Sequence, residues 1–388
     1  MENSKWPIKT LTELCNSVTY GYTESASLEK IGPKFLRITD IASGRLNWDS
    51  VPYCKIKDVD FEKYKLKAGD IVIARTGATT GANYTFKKGD PDNVVYASYL
   101  IKYSINQEIA NPYFVGYVLK SNNWSEYVDA IAGGSAQPGA NAKQLGCFEI
   151  QLPPLPDQKA IASVLSSLDD KIDLLHQQNQ TLEALAETLF RQWFIVDAKE
   201  DWEEGKLGDE FDFTMGQSPP GDTYNENNEG IPLYQGNADF GFRFPTNRIF
   251  TTDPKRFAEK YDTLISVRAP VGAQNMSNER CCIGRGVAAF RYKEDKSYFS
   301  YTYYKLASLM NEIKQFNEAG TVFGSISKTD FENIDIVKPP KSIIDKFEIE
   351  VKPIDLKIFE NSKQIQTLTQ LRDTLLPKLM SGDVRVKN

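Results

Sequence analysis

The chain holds one histidine, His176, and five cysteines (Cys15, Cys54, Cys147, Cys281, Cys282), none in a C-x-x-C pair. One imidazole and scattered thiols do not assemble a zinc site, and every His-dependent triad would need that single residue. An odd cysteine count in a long chain argues against a disulfide framework, and adjacent Cys281-Cys282 read as buried strand thiols rather than a redox pair. Glu350-Val351-Lys352 fits the E-x-K half of a nuclease metal site, but Val351 lies on a helical apolar stripe, so a solvated helix face is the simpler reading. There is no Walker loop, no G-x-G-x-x-G behind a strand and no G-x-S-x-G elbow. Leu152-Pro153-Pro154-Leu155 lacks the polar leader and the aromatic of an Asn/Asp-Pro-Pro-aromatic motif and reads as a strand exit. The expectation is a chain with no catalytic residue and no metal.

What remains is a set of Gly/Ser/Thr/Gln/Asn loops. Thr76 to Gly81 and Gly133 to Asn141 are rich in small residues, and similar loops return at Gln217 to Gly221, Ile283-Gly284-Arg285-Gly286 and Gly320 to Lys328. Backbone N–H groups and small hydroxyls in such loops approach phosphates closely, while Gln, Asn and Arg match base edges. The candidate DNA contacts are Lys34, Arg37, Arg75, Thr76, Thr79, Ser135, Gln137 and Asn141 in the first half, and Gln217, Ser218, Arg268, Arg285, Ser325 and Lys328 in the second. Each loop alone also reads as an ordinary turn. Arg75 and Arg268, each closing a strand before such a loop, are equally guanine readers, phosphate clamps or salt-bridged structural arginines.

Composition bounds the rest. The length of 388 residues is that of two to three domains, and 41% hydrophobic with 25% charged residues excludes wholesale disorder. No apolar run approaches membrane-spanning length, and the start Met1-Glu2-Asn3-Ser4-Lys5-Trp6-Pro7 has no secretory pattern, so the expected location is cytoplasmic. The net charge of −6 opposes strong unaided phosphate binding. Residues 1–155 carry 17 basic and 16 acidic groups, 156–197 carry 3 and 7, 198–340 carry 17 and 22, and 341–388 carry 9 and 7. No segment is a basic domain.

The chain is written twice. At an offset of 186, Gly134-Ser135 meets Gly320-Thr321, Leu145 meets Phe331, Ile150 meets Ile336 and Pro153-Pro154 meets Pro339-Pro340. Ile172, Leu182, Leu185 and Leu189 meet Ile358, Leu368, Leu371 and Leu375, while Trp6 and Leu11 meet Trp202 and Leu207 at 196. Asp70 to Arg75 resembles Asp262 to Arg268, one residue longer. Each half is a variable block of short strands and helices followed by a long helix. Ile161, Leu165, Leu168, Ile172, Leu175, Asn179, Leu182, Ala186 and Leu189 alternate spacings of 4 and 3, as do Phe347, Val351, Ile354, Ile358, Asn361, Ile365, Leu368 and Leu375. This predicts a coiled-coil seam with Asn179 and Asn361 on the stripe and His176 pointing away. Pro156-Asp157 and Ser342 with Asp345 read as helix starts, Gly382 as a stop, and Pro353 as a kink or late start. Strands are expected at Lys34 to Ile41, Asp70 to Arg75, Phe148 to Leu152 and Cys281 to Tyr292, and helices at Tyr113 to Ser121 and Tyr301 to Glu318.

Two unlike blocks, each followed by a matched helix, resemble the specificity (S) subunits of type I restriction–modification systems. The resemblance rests on Leu155-Pro156-Asp157-Gln158-Lys159-Ala160-Ile161-Ala162-Ser163-Val164-Leu165, on Asp169-Asp170-Lys171-Ile172 and on Leu371 to Gly382. Gly216-Gln217-Ser218-Pro219-Pro220, Ile265 to Gly272 and Cys282 to Gly286 add recognition-domain motifs. It implies an α/β (α+β) fold: two target-recognition domains (1–155 and 198–340) with twisted mixed β-sheets, separated by two long antiparallel coiled-coil helices (156–197 and 341–388) in a pseudo-twofold repeat. It further implies a non-enzymatic DNA-recognition subunit, each domain reading one half of a bipartite site in double-stranded DNA. The partners would be methyltransferase (M) subunits, two in number, and restriction (R) subunits, which would bind the S-adenosylmethionine, ATP and Mg²⁺; this chain would hold no cofactor. A coiled-coil scaffold whose blocks bind protein partners is the alternative. At 1.5 Å per residue, a helix over residues 157–194 spans roughly 57 Å, or roughly 17 base pairs.

Overall fold

The computed structural model describes residues 6–42, 44, 46–133, 139–316 and 325–386. The chain divides into two compact units, Met1–Ile172 with Thr367–Asn388, and Asp173–Gln366. Each is thus a globular block joined to a length of both long helices.

In the first unit, strand Ile8–Thr10 pairs antiparallel with Glu149–Gln151 and ties the start of the block to its end. The main sheet is antiparallel, in the order Cys15–Tyr20, Leu100–Ile105, Asp70–Ala74, Asn83–Thr85, and Lys34–Leu36 runs parallel to Val94–Tyr96 beside it. Asp70–Ala74 is apolar at every position after its aspartate because both of its faces are covered. Ile71 and Ile73 pack with Phe114, Val115 and Leu145, whereas Val72 and Ala74 pack with Leu36, Phe86 and Tyr96.

The second unit repeats this plan. Glu203–Lys206 pairs with Asp335–Lys338, and the main antiparallel sheet runs Phe211–Met215, Val287–Tyr292, Thr263–Ser266, Gln274–Met276. The parallel pair, Ile231–Tyr234 with Cys281–Ile283, is here enlarged to five strands by Tyr224–Asn225, Phe250–Thr251 and Phe257–Ala258. The sheets are therefore mixed only where that parallel pair is extended; both main sheets are wholly antiparallel.

The two helices are Leu155–Arg191 and Lys341–Ser381, of 37 and 41 residues. The first ends in a π-helical turn, Gln192–Val196. In the first unit Ile161, Ala162 and Leu165 share a core with Leu376 and Leu379. In the second, Ala186, Phe190 and Phe194 share one with Ile344, Phe347 and Val351. Within that unit Asn179 contacts Asn361 while Phe190 contacts Phe347, so numbering rises along one helix as it falls along the other: the pair is antiparallel. Of the expected seam, Ile161, Leu165, Ile172, Leu175, Asn179, Ala186, Phe347, Val351, Ile358 and Asn361 are buried. Leu168, Leu182, Leu189, Ile354, Ile365, Leu368 and Leu375 are half-buried.

Several local expectations are corrected. Helix one starts at Leu155, so Pro156 and Asp157 lie in its first turn, where a missing N–H is harmless and a carboxylate suits the dipole. Asp345 accepts from Tyr298 and pairs with Lys341 instead of forming a capping box with Ser342. The second helix runs through Pro353 without a late start. His176, expected to point away from the seam, is half-buried. Lys34 to Ile41 is a short strand, Lys34–Leu36, followed by the helical turn Ile38–Ile41. Tyr301 to Glu318 is two helices, Phe299–Ser308 and Met310–Gln315, with Glu318 outside the described residues. Gly382, at φ +77°, ends the second helix as expected. Among the described residues no helix is long and apolar enough to cross a membrane.

Candidate nucleic-acid interface

In each unit five strand ends converge, and main-chain hydrogen bonds fix how they correspond. Gly21 donates to Leu100 and Tyr22 to Tyr96 in the first unit; Gly216 donates to Val287 and Gln217 to Ile283 in the second. Ala97 donates to Leu36 as Gly284 does to Tyr234, and Arg75 donates to Tyr99 as Val267 does to Gly286. A last pair completes the match: Ala140 donates to the Arg75 carbonyl, and Ile326 to that of Val267. Each edge thus brings together the exits of three strands, the turn that links two more, and a more distant loop at 139–142 or 325–328.

This ladder corrects the alignment of the two arginines. Asp70 and Asp262 are equivalent, since each carboxylate accepts from the N–H three residues earlier, at Lys67 and Glu259. Counting along the strands, Arg75 falls opposite Val267, and Thr76 falls opposite Arg268. The isolated bridges agree: Thr76 pairs with Gly139, and Arg268 with Ser325. The strands are equal in length up to that point, and the odd residue lies in the loop that follows: Ala74 donates to Ala82 in one unit, Ser266 to Ala273 in the other. One step along an extended chain reverses the side chain's direction, so the two arginines are not counterparts.

The glycines have a close-approach role. A Cβ on Gly216 would lie 2.1 Å from the Gly284 carbonyl oxygen, and one on Gly286 would lie 2.1 Å from that of Gln235. Only hydrogen lets these backbones meet.

The candidates divide by what their side chains already hold. The Lys34 ammonium donates to the carbonyls of Trp48 (2.6 Å) and Val51 (3.2 Å) and lies over the Tyr53 ring. Arg37 forks onto Asp40 through Nε and Nη2. Asn141 caps the helix Ala142–Gly146. Lys328 pairs with Glu332 on an exposed face. Arg75 lies over the Tyr20 ring, 5.1 Å from its centroid, with a buried Nε that has no hydrogen-bond partner among the described residues. Thr76 and Thr79 are half-buried in the loop after Arg75, and Ser325 is exposed beside Arg268. Ser218 Oγ accepts from the Arg285 N–H and donates to Gln235 Oε1, with Gln217 exposed alongside. Arg268 and Arg285 are exposed and, among the described residues, have no ion-pair partner. Ser135 and Gln137 lie outside the described residues. Glu350 and Lys352 do not converge on a site: Glu350 is exposed and Lys352 donates to the Ser297 carbonyl. Among the described residues no cluster of three or more His, Cys, Asp or Glu could hold a metal.

The repeated edge is matched by the family model described as type I restriction modification DNA specificity domain, which fits the chain twice, over residues 3–184 and 199–374. The chain belongs to that family. It is a type I DNA specificity subunit. The chain is 30% identical to the MjaX specificity subunit of Methanocaldococcus jannaschii over 403 residues, covering 98% of this chain and 94% of that one. It is 24% identical to the HindI specificity subunit of Haemophilus influenzae, covering 85% and 90%. The S subunit structure from M. genitalium has the same fold, with a TM-score of 0.65 at 19% identity over 98% of this chain and 97% of that one.

The repeat places further residues on the specificity subunit's edges that sequence reasoning missed. Tyr22 stands where Gln217 stands in the other unit, Ser98 where Arg285 stands, and Gln235 where Arg37 stands. Tyr99 is 57% exposed on the first edge, and Tyr20 Oη accepts from the Ala142 N–H. Their types share nothing across the repeat, so no residue pattern signals them; only the hydrogen-bond ladder does.

Proposed function

We propose that the two edges read the two halves of a bipartite DNA site, each unit contributing one half. The observation that carries this reading is a pair of equivalent strand-end edges, built on the same main-chain contacts, that present different side chains at equivalent positions: Tyr22, Arg37, Thr76 and Ser98 against Gln217, Gln235, Arg268 and Arg285. Like scaffolds with unlike side chains fit an asymmetric target. Arg268 and Arg285 suit guanine edges or phosphates, and Gln217 and Gln235 suit adenine. The helices act as the spacer and as the docking surface for methyltransferase subunits, two per complex, with restriction subunits joining them.

The subunit itself is not catalytic: S-adenosylmethionine, ATP and Mg²⁺ belong to the partner subunits. Its net charge of −6 makes it a weak DNA binder alone, and tight binding needs the methyltransferase subunits. The test is co-expression with the neighbouring methyltransferase gene in a methylation-free host, followed by genome-wide mapping of modified adenines. One two-part motif with an unread gap is expected. A well-assembled complex that modifies nothing would overturn the reading, and nanomolar specific binding by the isolated chain at physiological salt would overturn its dependence on partners.

A further inference from the structure

Away from the edges, each unit repeats a second contact. In the first, Tyr117 on helix Pro112–Val118 donates its hydroxyl to Asp169 Oδ2 at 2.8 Å, and Arg372 Nη1 donates to Asp169 Oδ1 at 2.9 Å. In the second, Tyr304 on helix Phe299–Ser308 donates to Asp355 Oδ1 at 3.0 Å, and Arg243 pairs with the same carboxylate. Asp169 and Asp355 stand at the repeat offset on the two long helices, and the tyrosines stand at equivalent places on the two domain helices. One phenol–carboxylate contact has been built twice.

The cations differ in part. Asp169 pairs with Arg372 of the facing long helix and, at 3.8 Å, with Lys120 of the globular block, whereas Asp355 pairs with Arg243 of the block. Arg243 is 1% exposed, lies 3.4 Å from the Tyr303 ring centroid and also pairs with Glu183 at 3.2 Å. Both clusters are wired to the sheet that carries the edge. Asn83 Nδ2 donates to the Leu119 carbonyl, just after the Tyr117 helix. Gln274 Nε2 donates to the Tyr303 carbonyl, and the Met276 N–H donates to that of Arg243.

Burying ion pairs adds little net stability compared with apolar packing, but charge-assisted hydrogen bonds are directional and hold a geometry. We propose that Tyr117–Asp169 and Tyr304–Asp355 are positioning pairs, which fix the angle at which each recognition edge is held on the long helices and so the gap length accepted between half-sites. They touch no DNA. The inference rests on the bipartite reading above, and it adds that gap fidelity is held by these side chains as well as by helix length.

The test uses the full chain assembled with its methyltransferase subunits. Methylation is measured on duplexes carrying the wild-type motif with the native gap and with one base pair more or fewer. Wild type should modify only the native gap. Tyr117→Phe should raise the ratio of off-gap to native modification about tenfold, the effect of losing one such bond, and Asp169→Asn and Tyr304→Phe, which each lose more than one contact, at least as much, with the half-site letters unchanged. Asp355→Asn strands a buried guanidinium and risks misfolding, so Tyr304→Phe carries the test in that unit. A merely stabilising role would lower the melting temperature and leave the ratio where it was. An unchanged ratio in assembled variants, or altered letters, overturns this inference alone. Absence of any two-part motif from wild type overturns it together with the bipartite reading.

Discussion

Asn361 donates from Nδ2 to Asn179 Oδ1 at 2.9 Å inside the helix pair, and each residue is only 1% exposed. Asn179 Nδ2 donates in turn to Ser362 Oγ at 3.2 Å. A polar pair within an apolar seam lowers stability and defines which residues face each other. Asn179→Leu alone should destabilise by about 2 kcal/mol, because it strands a buried amide. Replacing both asparagines by leucine should restore or exceed wild-type stability. Denaturant melts of the three proteins give the answer, and a double variant as weak as the single would remove the register argument.

Gly216 and Gly21 hold the start of each edge. A Cβ would lie 2.1 Å from the Gly284 carbonyl oxygen in one case and 2.2 Å from that of Ala97 in the other. Alanine at either position should cost about 3 kcal/mol, since rigid backbone must move. Thermal melts check this, and an effect within about 0.5 kcal/mol would show that the strand ends separate freely.

Arg268 and Arg285 separate base reading from phosphate binding. Arg268→Gln or Arg285→Gln should change or relax letters in one half of the motif only, if the guanidinium meets a base. A phosphate contact should instead leave the letters intact and reduce the slope of log affinity against log salt by about 0.9 per arginine. Methylome mapping and salt titration of the assembled complex distinguish the two. Identical letters together with an identical slope would place both residues off the DNA.

Asp169 with Arg372, and Asn179 with Asn361, fix helix register within their respective units. Lengthening the spacer without breaking either pairing therefore requires one heptad in each helix, between residues 172 and 179 and between 361 and 372. The double insertion adds roughly 10 Å, or about three base pairs, to the unread gap. Mapped motifs with unchanged half-sites and a longer gap are expected; altered half-site letters would overturn the spacer role of the helices.

Burial pushes the Glu348 carboxyl up to about 8, although the Tyr301 N–H donates to it at 2.7 Å. The folded protein therefore holds this proton more tightly than the unfolded chain, whose carboxyl titrates near 4.5. The stability this gives is complete below pH 4.5 and is lost as pH rises through 8. Glu348→Gln keeps the acceptor and removes the charge, so its stability advantage over wild type should grow across that interval. Denaturant melts at pH 5, 7 and 8.5 test this; parallel curves would place the carboxyl in water.

The sequence by itself determined the doubled plan and the apolar seam. A strict alternation of 3 and 4 places every named seam residue on one stripe whatever else surrounds the helix, and a run such as Ile71-Val72-Ile73-Ala74 has no folded state except one covered on both faces. It also placed the stop at Gly382, where the backbone turns left-handed. The tertiary structure alone decided which residues correspond at the edges. A one-residue difference can be assigned anywhere between two matched aspartates in a sequence, but the ladder admits it only after Ala74 and Ser266, which sets Arg75 against Val267. It also decided the use of Asp169, Asp355 and Arg243. In the sequence the two aspartates are charged residues off the predicted stripe, with the look of a solvated face; the globular blocks fold over them and turn that face into a hydrogen-bonded joint, half-buried at Asp169 and buried at Asp355, where Arg243 of the block itself meets the carboxylate. Periodicity records which side of a helix meets its partner helix, and it holds no record of a domain that covers the other side.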